Sequence, residues 1–164
     1  MKARLFKSLA TLGPAAVSGF LFAGCACCPS PRNSASSAEQ VRQRLAEIMD
    51  AAEKKDMPRL DSYHRYGPAF TKFSGGQLDR QDAQVARKGE HDGLTSITGL
   101  QMRADDLKID VFGDTAVATF ILNYSFQSTT NRVQKKDRAT MVFVKDEDGW
   151  RIVHEHLSMP QPAR

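Results

Sequence analysis

The spacing of the apolar residues changes at Gly93, and this change limits the folds open to the chain. Before Gly93, apolar residues recur at intervals of three or four, which is the spacing of an amphipathic helix. After it, apolar and polar residues alternate over long runs, which is the spacing of β-strands. Helices first and then strands, without crossover helices, predict an α+β domain whose helices pack on one face of an antiparallel sheet.

Three helices are predicted before this change. The first begins at Ser36 and Ser37, which stand three residues before Glu39 and Gln40, the spacing of a capping box. A second helix is predicted over residues 56–63, with a proline in its first turn, and a third over residues 79–90. The apolar stripe of the first helix is Val41, Leu45, Ile48, Met49 and Ala52.

Four long strands are predicted after Gly93, over residues 96–111, 115–128, 132–145 and from 149 onward. The second of these strands carries apolar side chains on both faces. A strand of this kind is typical of the interior of a sheet.

The first 24 residues are predicted to be a secretory signal peptide. Lys2, Arg4 and Lys7 form a basic start, and no charged residue follows until after Gly24. The uncharged stretch is shorter than the ~20 apolar residues that usually span a bilayer. We therefore expect export and removal of this segment, not a membrane-spanning helix.

The end of this segment, Leu21-Phe22-Ala23-Gly24-Cys25, resembles the lipobox of bacterial lipoproteins. The resemblance implies that Cys25 is acylated and becomes the first residue of the mature chain. Ala26 after the cysteine then implies the periplasmic face of the outer membrane. Ordinary cleavage near Ala23 or Ala26, which would give a soluble periplasmic or secreted protein, stays open as the alternative.

The predicted organisation is a signal peptide over residues 1–24, a lipidated cysteine and flexible tether over 25–37, one domain over 38–159 and a tail over 160–164. The three cysteines, Cys25, Cys27 and Cys28, precede the domain and match no zinc spacing. Of the 23 basic residues, 20 remain in the mature chain against 19 acidic ones, which gives no support to a nucleic-acid partner.

The last strand, Gly149-Trp150-Arg151-Ile152-Val153-His154-Glu155-His156, and the segment from Tyr63 to Phe73 resemble the nuclear transport factor 2-like superfamily. Within it, the chain is most similar to SnoaL-like domains and to the association domain of calcium/calmodulin-dependent kinases. The resemblance implies a cone-shaped fold, with helices packed on a strongly curved antiparallel sheet, that pairs through its sheets into dimers or rings. The superfamily contains isomerases, dehydratases and non-catalytic modules, so the fold alone assigns no function.

The resemblance also implies which residues line a cavity. The positions of the pocket arginines of the kinase domain fall on Leu122, Met141 and Leu157, so that anion site is not carried over. Glu155 is expected to face the cavity, whereas Trp150, Ile152, His154 and His156 are expected on the opposite face. The expected lining is Tyr66, Phe70, Phe120, Leu122, Tyr124, Met141, Phe143 and Leu157.

Glu155 is the first candidate for catalysis, because an apolar cavity raises the pKa of a carboxyl group and prepares it for proton transfer. Tyr124 could donate a hydrogen bond to an oxyanion, and His64 or Tyr66 at the mouth could relay a proton. The alternative is that Glu155 pairs with a nearby Arg or points to solvent at a strand end. Residues 135–138 are expected at a solvated strand edge.

His154 and His156 share one face of the strand, but no third ligand stands near them, so no metal and no cofactor are predicted. We expect an exported, lipid-anchored domain that binds a small apolar or amphipathic ligand, or a protein partner, in its cavity without catalysis. One alternative is a proton-transfer enzyme of the isomerase or dehydratase kind that uses Glu155 or a histidine. Another is a homodimeric assembly module that pairs through the face bearing Trp150.

Overall fold

A computed structural model describes residues 31–160 of the chain. The predicted signal peptide, the predicted acylation site at Cys25 and residues 161–164 of the predicted tail lie outside this part. Within the described part, no helix is both long and apolar enough to cross a bilayer. The elements are α1 (Pro31–Lys54), α2 (Met57–Ser62), β1 (Thr71–Phe73), α3 (Ala83–Thr95), β2 (Thr98–Phe112), β3 (Thr115–Gln127), β4 (Arg132–Asp146) and β5 (Gly149–Ser158).

Helix α1 begins at Pro31, earlier than the predicted start at Ser36 and Ser37. Residues 31–37, expected to belong to the flexible tether, are therefore helical. The predicted apolar stripe does face the interior, with Val41 and Leu45 among its buried members.

The two shorter helices have aspartate caps. The side chain of Asp56 accepts a hydrogen bond from the backbone N–H of Arg59 at 3.2 Å at the start of α2, close to the predicted position. Asp82 accepts from the N–H of Val85 at 2.9 Å and starts α3. Because this cap lies at Asp82, α3 begins and ends later than the predicted span of residues 79–90.

The five strands form one curved mixed sheet in the order β1-β5-β4-β3-β2. Strand β1 runs parallel to β5, and the other neighbours are antiparallel. The all-antiparallel prediction is thus wrong for β1, because three residues are too few to show a strand period in the sequence. Strand β3 lies inside the sheet, as predicted from its two apolar faces.

A β-bulge in β5 changes which side chains face the helices. Phe143 pairs with Ile152, whereas the preceding residue Val142 pairs with His154, so Val153 is an extra residue. The extra residue reverses the alternation of faces along the strand. The expectation that Trp150 and Ile152 face outward is therefore wrong. They lie on the inner, helix-covered face with Glu155, and His154 lies on the outer face.

The apolar core fills the space between α1 and the inner face of the sheet. Phe120, Leu122, Met141 and Phe143 were expected to line an open cavity, but each is at most 6% exposed. They belong to one packed cluster with the stripe of α1, because the large side chains from both sides meet there. The cone is thus filled in this region.

A substitution of Trp150 tests the inward orientation that the bulge in β5 implies for this side chain. Its side chain is 2% exposed, and its indole N–H donates to Oε1 of Gln40 at 3.1 Å. We expect Trp150→Ala to lower the free energy of unfolding by about 3–5 kcal/mol in urea denaturation, because it leaves a large cavity. His156→Ala on the exposed outer face is the control and should change it by only about 0.5 kcal/mol. Equal, small effects would contradict the inward position of Trp150.

Candidate functional site

Five polar side chains from four parts of the fold meet beneath α3. They are His64 and Tyr66 from the α2–β1 connection, Lys72 from β1, Glu90 from α3 and Glu155 from β5. We call this group the charge cluster. His64, Lys72 and Glu155 are 3%, 7% and 2% exposed, so the cluster lies almost wholly inside the domain.

Backbone pairing brings these side chains together. The parallel register of β1 and β5 places Lys72 opposite Glu155. The backbone N–H of Ile152 donates to the carbonyl of Tyr63 at 2.9 Å, which fixes the connection that carries His64 beside β5. The bulge just after Ile152 turns Glu155 toward the same point.

Each carboxylate of the charge cluster contacts more than one donor. Nζ of Lys72 lies 2.6 Å from Oε2 of Glu155 and 3.4 Å from Oε1 of Glu90. Nε2 of His64 lies 3.3 Å from Oε1 of Glu155 and 3.9 Å from Oε2 of Glu90. The Tyr66 hydroxyl donates to Oε2 of Glu90 at 3.0 Å. Among the described residues, Oε2 of Glu155 receives no aligned hydrogen bond, so Lys72 holds it as an ion pair.

The protonation state of His64 follows from its two ring nitrogens. Nδ1 lies 2.9 Å from the carbonyl oxygen of Leu60, to which only an N–H can donate. Nε2 faces Glu155 and Glu90, which favours a second proton and an imidazolium ion. Two cations, His64 and Lys72, then balance two carboxylates.

The pKa shifts follow this balance. Burial raises the pKa of Glu155, but the charge of Lys72 and the hydrogen bond with His64 outweigh burial and hold that pKa well below its usual range. The expectation of a raised pKa is therefore wrong, because the carboxylate is surrounded by cations and not by apolar groups alone. Burial lowers the pKa of His64 and of Lys72, yet the nearby carboxylates outweigh it and raise both pKa values above normal.

Of the predicted catalytic residues, His64 and Tyr66 meet Glu155 in the charge cluster, whereas Tyr124 does not belong to it. His64 lies deep in the fold and not at a mouth, because its ring stacks on Tyr66 at 4.9 Å and packs edge-on against the buried Phe70. Tyr124 instead donates its hydroxyl hydrogen to Oδ2 of Asp137 at 2.9 Å. Asp137 was expected at a solvated edge but is buried, because alternation along β4 places it on the inner face.

Lys72 and Glu90 were not identified from the sequence. Lys72 lies in a strand too short to be recognised, and Glu90 lies in a polar helix that resembles any solvated helix. The one available signal was Lys72 between Thr71 and Phe73, a lone cation in an otherwise uncharged run. A partner for a buried lysine can be recognised only once the chain is folded.

Two groups of side chains that include histidine contain atoms able to bind a metal ion. On the outer face, Nδ1 of His154 contacts the hydroxyl of Thr71 at 2.8 Å, a contact that needs no metal. In the charge cluster, ligand atoms of His64, Glu90 and Glu155 lie within 4.8 Å of one another. The ammonium group of Lys72 contacts both carboxylates, so the cluster already contains a cation where a metal would bind.

An open groove of about 560 Å³ runs along α3 beside the charge cluster. We call it the α3 groove. Tyr66 belongs to both, since it lines the groove and its hydroxyl reaches Glu90. The lining consists of Tyr66, Gly67, Ala83, Gln84, Arg87, Lys88, His91 and Asp92.

A double-mutant cycle on Lys72 and Glu155 tests the balance of charge. Glu155→Gln and Lys72→Met should each lower the free energy of unfolding by about 3–5 kcal/mol, because each leaves a buried charge without its partner. The double variant should lose less than the sum, by about 0.5–3 kcal/mol. Asp92→Asn, which breaks an exposed pair with Lys88, is the control and should cost below about 1 kcal/mol. Strict additivity in urea denaturation would contradict the coupling.

Comparison with known proteins assigns the fold and the family. No curated protein matches the chain. A proposed dehydratase of the NTF2-like family from Streptomyces avermitilis is 22% identical, covers 77% of this chain and 98% of its own, and superposes with a TM-score of 0.71. The CaMKII hub of S. rosetta is 23% identical over 75% of this chain and 96% of its own, with a TM-score of 0.64.

A third solved structure, a proposed aromatic ring hydroxylase from Novosphingobium aromaticivorans, is 14% identical over 82% of this chain and 93% of its own, with a TM-score of 0.69. These three proteins have different activities in their names, so the likeness shows the fold and not a shared reaction. The family model of the SnoaL-like domain matches residues 41–162. The chain therefore belongs to the SnoaL-like domain family and has the nuclear transport factor 2-like fold.

Proposed function

We propose that this SnoaL-like domain is a non-catalytic assembly module in which two copies pair through the outer face of the sheet. The observation that carries the proposal is a row of half-buried aliphatic side chains on that face, with no helix packed over it in the described part of the chain. The filled core supports a role at the surface in preference to one deep in the cone.

The pKa shifts of Glu155 and Lys72 argue against proton transfer by these two groups. A general acid or base works best when its pKa lies near the working pH. Here the pKa of Glu155 is lowered and that of Lys72 is raised, so the carboxylate is a weaker base and the ammonium a weaker acid. Burial and a neighbouring carboxylate raise the pKa of Tyr66 and of Tyr124 as well. Protonation of Glu155 is therefore unfavourable, because Lys72 and His64 stabilise its ionised form.

The outer face has the composition of a sheet-packing surface. At its centre, Val117 lies opposite Val142 and Thr119 lies opposite Thr140, which gives a flat area of small and β-branched side chains. Charged side chains border this area on β2, where Lys108 lies opposite Thr119 and Asp110 lies opposite Val117. An apolar centre with a polar rim is the usual anatomy of a protein interface.

A second copy is the occupant that this face fits best. Two identical twisted sheets can pack face to face, and a two-fold axis places the same patch on both sides of the contact. The pairing of sheets implied by the sequence resemblance agrees with this arrangement. The structural likeness to a CaMKII hub is consistent with it.

Val142→Lys tests the pairing. Wild-type protein should have the mass of a dimer by light scattering, and Val142→Lys should shift it to a monomer, because a lysine at the centre of the contact would bury a charge on each side. The matched control is Val85→Lys on α3, where the valine is 55% exposed, and it should leave the mass unchanged. A wild-type monomer, or a Val142→Lys variant that keeps the mass of a dimer, would contradict the proposal.

We also propose that the domain is held at the periplasmic face of a bacterial membrane, with the outer membrane favoured, by a lipid on Cys25. The support is in the sequence alone: a basic start, an uncharged segment and the lipobox-like residues that end at Cys25. Residues 26–30 would separate the membrane from α1 at Pro31. Two copies on one membrane surface would meet more often than in solution, which favours pairing.

Cys25→Ser tests the anchor. The variant should lose metabolic labelling by a fatty acid and leave the membrane fraction, because no thiol is then present at the acylation position. Cys28→Ser is the matched control and should keep both properties. Labelling that persists in Cys25→Ser would refute the lipid anchor.

A further inference from the structure

We propose that the charge cluster is a binding site for a small monocarboxylate. The carboxylate of Glu90 on α3 occupies this site in the structure, and the carboxylate of such a molecule can take its place. This goes beyond the assembly role and does not depend on it. Four features support the exchange: the charge balance of the cluster, the distances from Glu90 to its donors, the attachment of α3 and the position of the α3 groove.

Charge balance requires one anion besides Glu155. Lys72 and His64 bring two positive charges into the interior, and Glu155 on the central part of the sheet neutralises one of them. Glu90 neutralises the other, and its side chain is 19% exposed, the most accessible of the four. Replacement of Glu90 by another carboxylate keeps the net charge of the interior unchanged, whereas simple removal of Glu90 does not.

The donors around Glu90 form a carboxylate cradle that Glu90 fills poorly. The Tyr66 hydroxyl reaches it at 3.0 Å, but Nζ of Lys72 is 3.4 Å away and Nε2 of His64 is 3.9 Å away. Charge-assisted hydrogen bonds to a carboxylate usually have N···O distances near ~2.8 Å. Because Glu90 is fixed to a helix, it cannot approach both cations closely, and a free carboxylate can.

Helix α3 has few buried contacts that would prevent it from moving away from the rest of the domain. Ala86 is its one fully buried residue. Gly89 and Gly93 each cost about 1 kcal/mol of helix stability relative to alanine. Besides Glu90, its contacts to the rest of the domain include those of Arg87 and His91 with Asp61 at 2.7 and 2.8 Å. Ala83 and Leu94 are partly buried against the core. A helix with few buried apolar contacts belongs to the part of a protein that opens at low free energy.

The α3 groove gives a small molecule access from solvent to the donors around Glu90. Tyr66 lines it and hydrogen-bonds Glu90, so a molecule in the groove lies next to the cradle. The basic side chains of the groove already have acidic partners, since Arg87 and His91 contact Asp61 and Lys88 pairs with Asp92. The preference for an anion therefore comes from Lys72 and His64 at the cradle. The Tyr66 ring and the small Ala83 offer apolar surface, so the ligand class is a monocarboxylate with a short apolar or aromatic body.

Chemical rescue tests the cradle. Glu90→Ala should lower Tm, and acetate should restore it in a saturable way, because acetate binds the folded protein at the vacated position. Acetamide and chloride at equal ionic strength should not restore it. The control Asp92→Ala, a change on the same helix outside the charge cluster, should show no acetate effect. Lys72→Met combined with Glu90→Ala should abolish the rescue.

Wild-type protein tests the replacement itself. Propionate or benzoate should raise its Tm in a saturable way, and hydrogen exchange of the α3 amides should become faster relative to those of β3 as Glu90 is displaced. If Glu90→Ala does not fold, Glu90→Gln keeps the side-chain shape and should bind benzoate at least tenfold more tightly than the wild type. Rescue by chloride as well as acetate, or a wild type without saturable binding, would overturn the proposal.

Discussion

The burial of Glu155 is the constraint on which much of the structure depends. A carboxylate inside a protein costs several kcal/mol unless cations and hydrogen bonds compensate it. Here Lys72 and His64 supply the cations, and both reach Glu155 because β1 and the α2–β1 connection pair with β5 through the backbone. Two further groups, Tyr66 and Glu90, then complete the balance and bring α3 against the body of the domain.

The two carboxylates of the charge cluster differ in how firmly the fold holds them. Glu155 lies within the sheet, where Met141 of β4 pairs with it on the one side and Lys72 on the other, and this carboxylate cannot move without loss of sheet pairing. Glu90 lies on a helix with one fully buried residue. The same electrostatic requirement therefore stabilises the fold through Glu155 and leaves a place for an exchangeable anion at Glu90. The proposed pairing through the outer face involves neither carboxylate.

The helices, long strands and turns could be predicted because each depends on neighbours in the sequence. The stripe of α1, the cap at Asp56 and the turn at Gly113 follow from spacing and from backbone preference. The inward position of Trp150 could not be predicted, because the bulge at Val153 is visible only against β4. Nor could the pairing of Lys72 with Glu155, residues that lie far apart in the chain.

By itself, the sequence determined the α+β class, the order of the elements, the family resemblance and a candidate carboxylate, Glu155. These depend on local periodicity and on short motifs, which act over a few residues. Only the tertiary structure decided that Glu155 is ionised, that the cone is filled by large side chains and that Glu90 reaches the cluster. Those features depend on which distant side chains meet in a region of low dielectric, where a single partner changes the charge state of a residue.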